Sequence, residues 1–150
     1  MILEQREQIA APIERVWSFL NDIPAVSRCV PGVDSFTAID DDTYEGALRA
    51  KVGPIGVHLQ GRVLVVERDT ENFTSRLNVS AVEKRISSSV NAKTSMSLVS
   101  TSPESTEVHI YTEASILGKL GEFGQSVLRR KADQVIKEFA ANMSRELGQA

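Results

Sequence analysis

The sequence predicts an α+β fold: two short helices follow the first strand, an antiparallel meander follows the helices, and one long helix ends the chain. Three observations predict it. Apolar residues near the N-terminus recur with the spacing of a short helix. The stretch from Val33 to Leu117 alternates apolar and polar positions and sustains no helical period. From about Gly118 the helical period returns and persists to Leu147.

Each element follows from local chemistry. Ile2 to Ile9 mixes apolar and charged positions as an edge or half-buried strand does. Ile13, Val16, Trp17 and Leu20 fall at i, i+3, i+4 and i+7, a stripe that buries one helix face. Pro12 suits the first turn of that helix, where its missing N–H would have had no partner. Asn21-Asp22-Ile23-Pro24 stops the helix and caps a second one, which runs toward Cys29 and ends at Val30-Pro31-Gly32. After the turn Asp40-Asp41-Asp42-Thr43, residues Tyr44, Gly46, Leu48, Ala50 and Val52 alternate with Glu45, Ala47, Arg49 and Lys51, which marks a strand with one buried face. Gly53-Pro54-Ile55-Gly56 reads as a turn, and Val57, Leu59, Gly61, Val63 and Val65 then alternate with His58, Gln60 and Arg62. Further strands are predicted at Phe73–Ala81, Ser88–Ser100 and Glu107–Ile116, with Thr101-Ser102-Pro103-Glu104 as a hairpin connection. In the last helix Leu120, Phe123, Val127, Leu128, Val135, Ile136, Phe139, Met143 and Leu147 fall near one face, and charged residues occupy much of the remainder.

Bulk properties narrow the function classes. A chain of 150 residues can bury roughly 70% of the surface of its unfolded form, so a single domain spanning 1–150 is expected. Seventeen Lys and Arg against 20 Asp and Glu leave a formal charge of −3, with no cationic excess to displace the counterions of a nucleic acid. Cys29 is the sole cysteine, which excludes an internal disulfide framework and fits a reducing compartment. The charges in Glu4, Arg6 and Glu7 interrupt any signal-peptide core, and no stretch approaches a membrane span, so a cytoplasmic location is expected. The sequons at Asn72, Asn78 and Asn142 then read as chance matches.

No catalytic pattern emerges. His58 and His109 sit at outward strand positions with no further ligand at metal spacing, so no metal and no cofactor is expected. Cys29, at the end of a short apolar helix, reads as an inert packed thiol. No Ser lies in a Gly-X-Ser-X-Gly elbow, and Gly121-Glu122-Phe123-Gly124 lacks the Lys-Ser/Thr of a phosphate loop. The inward strand positions include Tyr44, Leu48, Val52, Val57, Leu59, Phe73, Leu77, Val79, Met96 and Ile110. Leu120, Phe123 and Val127 join them from the helix. None is charged, which favours binding over acid–base chemistry. The same residues would also fill a solid core. The small residues Gly46, Ala50, Gly61, Ala92 and Ala114 tilt the reading toward unfilled volume beneath the helix, with the larger residues as its ligand-binding wall. Gly118, Gly121 and Gly124 admit two readings: close packing against a strand, or a movable gate beside Val30, Pro31, Gly32 and the turn Gly53, Pro54, Ile55, Gly56.

A strand, two short helices, about six antiparallel strands and a long terminal helix is the element order of the helix-grip fold, a curved antiparallel sheet of about seven strands wrapped around its C-terminal helix. The chain resembles the START/SRPBCC superfamily, which includes lipid-transfer domains and birch pollen allergens. It resembles the carbon monoxide dehydrogenase G-subunit (CoxG) family more closely. The residues that carry the resemblance are the run from Ala11 to Asp22, Val30-Pro31-Gly32-Val33, Lys51-Val52-Gly53-Pro54-Ile55, Gly61-Arg62-Val63, and the run from Leu117 to Gly124. The resemblance implies an elongated cavity for an apolar ligand between sheet and helix. It also implies an accessory role beside a molybdenum-containing hydroxylase of the carbon monoxide dehydrogenase type, through membrane recruitment or carriage of a lipid-like quinone. Because the chain stops at Ala150, about where the helix ends, at most peripheral contact with the inner face of the membrane is expected. Three function hypotheses follow, in order of weight: a carrier of a hydrophobic ligand, an assembly module with no ligand, and a cyclase, hydratase or hydrolase. The second would be supported by an apolar outer patch involving Leu64 and Val66.

Overall fold

The computed structural model describes residues 1–148; the expected boundary at Ala150 lies outside them. Seven strands form one antiparallel sheet in the order β1-β7-β6-β5-β4-β3-β2. They are β1 (Ile2–Ile9), β2 (Val33–Ala38), β3 (Thr43–Val52), β4 (Ile55–Asp69), β5 (Thr74–Glu83), β6 (Ser88–Ser102) and β7 (Ser105–Leu117). Helices α1 (Ile13–Asn21) and α2 (Ile23–Ser27) carry the chain from one sheet edge to the other, since β1 and β2 are the two edge strands. Helix α3 (Gln125–Gly148) closes the inner face, and its main strand contacts are with β1 and β3. This is the helix-grip architecture expected from the element order.

Local chemistry explains the boundaries, and in places corrects the expectation. Pro12 is the N-cap of α1 and not its first helical residue; its carbonyl accepts from the N–H groups of Arg15 and Val16, both at 3.0 Å. The Asp22 carboxylate caps α2 by accepting from the Ala25 N–H at 3.3 Å. Phe73 lies in the turn before β5 with a left-handed φ of 54°, not in a strand, and its ring meets Trp17 edge-on at 5.8 Å. The β3–β4 turn is only Gly53-Pro54: Ile55 and Gly56 already pair with Val52 and Lys51. Likewise Thr101 and Ser102 belong to β6, leaving Pro103-Glu104 as the connection.

The long helix does not begin at Gly118. A short 3₁₀ segment, Lys119–Phe123, comes first, bounded by Gly118 and Gly124 with φ of 81° and 86°, and α3 starts only at Gln125. A side chain at either glycine would be forced into a conformation that L-residues rarely hold. A Cβ on Gly121 would stand 2.5 Å from the Ile116 carbonyl oxygen, so this segment packs hard against the end of β7.

The apolar core falls into three packed clusters. The first joins Ile9, Val16, Trp17, Leu20, Cys29, Val108 and Ile110 to the C-terminal half of α3 through Phe139, Ala140, Met143 and Leu147. The second surrounds Ile23, Tyr44 and Val65, with Phe36 stacked on Tyr44 at 5.4 Å. The third surrounds Val52, Val57 and Leu120. Across the outer face, Glu45 pairs with Arg62 and Glu67 with Arg76 in direct cross-strand register.

Candidate functional site

Strand register resolves the inner face into rows. Toward the start of α3, Val52 faces Ile55 and Ala50 faces Val57; these pack with Leu120, Phe123, Val127 and Leu128. At the opposite end Ser75, Met96 and Ile110 share a row, and Phe73, Met96 and Ile110 pack into the first cluster. Tyr44 and Leu77 belong to the second cluster, where the Tyr44 hydroxyl donates to the Asp41 carbonyl at 2.9 Å. Of the residues expected to form a ligand wall, ten are therefore in or against packed clusters. The remaining three, Leu48, Leu59 and Val79, belong to none and stay partly exposed.

Those three surround a floor of very small side chains. Gly46 pairs with Gly61 and Gly61 with Ala81; in the adjoining row Val79 pairs with Ala92 and Ala92 with Ala114. All are only partly buried although they face inward. Helix α3 contacts β1 and β3 on either side of this region, and the small residues at the centre of the sheet belong to none of the three packed clusters. Ala81 completes the floor and is not among the residues that the sequence singles out; strand parity alone would find it. Of the small residues that the sequence does single out, Ala50 packs in the third cluster instead.

Polar groups around this space are few and mostly engaged. The Thr94 and Thr112 hydroxyls meet across β6 and β7 at 3.0 Å. Gln5 of β1 donates its amide to Asp133 of α3 at 3.0 Å. Glu83, at an inward position of β5 two residues beyond the predicted strand end, is 3% exposed and is the buried charged residue among those described. Its carboxylate accepts from the Arg85 guanidinium and from the His58 backbone N–H. The Arg85 hydrogen bond first, and then the His58 N–H, hold its pKa down to about 2. Its sequence signal is the Glu-X-Arg spacing that lets one side chain neutralise the other.

The proposed gate segments lie at different points along β3. Gly32, with φ of 87°, lies against the backbone of Arg49 and accepts its N–H at 2.8 Å. A Cβ on Gly53 would stand 3.6 Å from the Phe123 ring. Phe123 and the Gly53-Pro54 turn therefore touch, while Val30 packs into the first cluster at the far end of the core.

Other features point to no chemistry. Three shallow depressions open on the surface: one of about 630 Å³ where Glu45, Arg62, Ser80 and Asn91 flank Gly46, Gly61 and Ala81, one of about 670 Å³ where Leu64, Asn78, Lys93 and Glu113 flank Val79, Ala92 and Ala114, and one of about 570 Å³ bordered by Arg49, Lys51, His58 and Arg85. Leu64 and Val66 are exposed, at 39% and 45%, but Leu64 continues into Asn78, Lys93 and Glu113 along its row, which breaks any apolar patch. Cys29 is buried, and burial is the main cause that raises its pKa. Among the described residues no three His, Cys, Asp or Glu side chains converge to hold a metal ion. No helix among them is long and apolar enough to cross a membrane.

Comparison with known proteins agrees with this architecture. A conserved protein from Geobacillus kaustophilus superimposes with a TM-score of 0.90 at 22% identity, covering 99% of this chain and 96% of that one. A START superfamily protein from Mycobacterium smegmatis gives a TM-score of 0.72 at 10% identity, covering 99% and 97%. The Zhui aromatase/cyclase from Streptomyces sp. R1128 gives 0.68 at 13%, covering 99% and 94%. At these identities the likeness establishes the START-like fold alone. No curated protein matches the sequence. The sequence profile of one family does match, over residues 6–148, and it spans both short helices, the whole meander and α3: the chain belongs to the carbon monoxide dehydrogenase G-subunit (CoxG) family.

Proposed function

We propose that the protein carries a hydrophobic small molecule beneath α3 and performs no chemistry on it. In this reading it serves a molybdenum hydroxylase of the carbon monoxide dehydrogenase type, and the cargo is a lipid or isoprenoid quinone. Family membership and fold support a ligand-binding accessory role in general. The observation that supports the carrier reading is the inward-facing set Gly46-Gly61-Ala81 and Ala92-Ala114, bordered by Leu48, Leu59 and Val79, which belongs to no packed cluster and stays partly exposed. A largely apolar wall, whose one buried carboxylate is already neutralised by Arg85, is what an apolar ligand requires.

An enzymatic reading has structural neighbours in its favour, the aromatase/cyclase above and norcoclaurine synthase from Thalictrum flavum. Acid–base work near neutral pH needs an ionisable group tuned toward that pH. Glu83 is tuned the opposite way, and both oxygens of its carboxylate are already engaged. The carrier reading is therefore preferred.

The deciding experiment is native mass spectrometry of the purified protein, with organic extraction and analysis of whatever leaves it. A bound polyisoprenoid or lipid at one per chain is the expected result. A protein that emerges empty and also fails to take up added quinone overturns the reading.

A further inference from the structure

We propose that the hydroxyl pair Thr94–Thr112 is the polar contact point of the chamber, and that the cargo is a neutral, mostly apolar molecule bearing one carbonyl or hydroxyl group there. This rests on the carrier reading and specifies what is carried.

Thr94 and Thr112 face each other across β6 and β7 in the row that also holds Leu77 and Leu3. One neighbouring row is Val79-Ala92-Ala114; the other, Ser75-Met96-Ile110, joins the first cluster through Met96 and Ile110. Side chains that stop at Cβ leave the two hydroxyls uncovered on that side, and both threonines are partly exposed although they point inward. The hydroxyls therefore stand beside the small-residue rows and not inside a packed cluster.

The hydrogen-bonding capacity of the pair sets the chemistry of the contact. Two hydroxyls bring two protons and four lone pairs. The 3.0 Å bond between them uses one proton and one lone pair. One proton remains to be donated, and no other side-chain or backbone partner takes it among the described residues. A carbonyl oxygen can accept that proton, and a ligand hydroxyl can accept it or donate to a spare lone pair. A hydrocarbon would leave the pair unsatisfied once water is displaced, a penalty that a hydrogen-bonding group avoids.

The same wall argues against a charged head group. On the sheet the inward positions around the pair are Leu3 and Leu77 in its own row, Val79, Ala92 and Ala114 on one side, and Ser75, Met96, Ile110 and Gln5 on the other, none of which carries a charge. Asp133, which α3 brings to β1, is occupied by Gln5. A carboxylate or ammonium held against this strand wall would find no counter-charge on the sheet, at a cost that a neutral group avoids.

The test compares two neutral probes, a long-chain methyl ketone and the alkane of equal chain length. Each displaces Nile red from the wild type, from Thr94→Val/Thr112→Val and from Thr94→Ser/Thr112→Ser. Valine keeps the branched shape and removes the hydroxyls; serine restores them. The expected result is a preference for the ketone in the wild type that falls roughly five- to tenfold in the valine variant. Serine should restore it, with alkane displacement equal in all three. Ketone binding unchanged by the valine substitutions overturns the hydroxyl-pair assignment and leaves the carrier reading standing. Failure of both probes to displace the dye from the wild type overturns the carrier reading and this inference with it.

Discussion

Gly61 lies so close to Ala81 on the next strand that a Cβ added to it would stand 2.8 Å from the alanine Cβ and 2.4 Å from the Ser80 carbonyl oxygen. The two strands approach closely at this point, and only the absence of a side chain permits it. Gly61→Val should destabilise the protein by about 3 kcal/mol and lower Tm by roughly 10 °C. Gly56, in the same strand, has nothing within 4 Å of the place a methyl group would take, so Gly56→Ala should raise stability by about 0.5–1 kcal/mol. Thermal unfolding of both variants checks the contrast; equal effects would mean that the close approach at Gly61 is not a constraint.

Glu83 gives the protein a specific sensitivity to acid. Its folded pKa of about 2 lies below its ordinary value of 4.5, so its stabilising contribution is fully present above that ordinary value. The contribution is lost as pH falls toward 2. Glu83→Gln should be less stable than wild type at pH 7, and the gap should narrow steadily between pH 5 and pH 2. Chemical denaturation at a series of pH values measures it, and a gap that stays constant would show that the carboxylate is not the group responsible.

Phe123 packs on the Gly53-Pro54 turn and within the third cluster, yet is itself only partly buried. In the proposed gate it is the part that must move for cargo to pass. Phe123→Ala should speed the release of a bound neutral dye several-fold in stopped-flow exchange while changing equilibrium affinity less. Release as slow as in the wild type would place the route elsewhere.

Cys29 is 3% exposed and lies in the first cluster. Burial, and secondarily Glu146, keeps its thiol protonated beyond the ordinary range. A bulky aromatic disulfide reagent should label it at least about a hundredfold more slowly in the native protein than in denaturant. Rapid native labelling would show that the α2 end of the core opens readily.

Much of the architecture was legible because strand parity and helical period are strong signals. Ile2–Ile9 was bounded correctly by its alternation, and the capping of α2 by Asp22 followed from residue type. The errors have physical causes. Phe73 has the bulk of a strand former, but its left-handed backbone is imposed by the turn, not by its own preference. Gly118, where the helical period returns, and Gly124 are the boundaries of a separate 3₁₀ segment. Parity named the inward face but could not say which rows would be packed. That depends on where α3 crosses, and a helix fixed near β1 and β3 leaves Leu48, Leu59 and Val79 unclaimed while it covers Val52 and Val57. Glu83 is not legible as an inward residue because the alternation reads as ending at Ala81, two residues short of the strand's end.

An open seven-stranded sheet has two free edges, each a template for unwanted pairing with another chain. Here the two are blunted by different means. At the β1 edge, helix α3 lies alongside and engages a backbone group at each end: Arg129 donates to the Ile2 carbonyl at 2.7 Å, and Ser144 Oγ accepts the N–H of Ala10, just past the strand, at 3.1 Å. At the other edge β2 is only six residues long and carries a register shift between Val33 and Ser35, which disrupts a flat run of free backbone groups. The helix that roofs the chamber is thus also a guard against fibrillar stacking, and variants that loosen α3 to speed cargo exchange would bring a greater tendency to aggregate along β1.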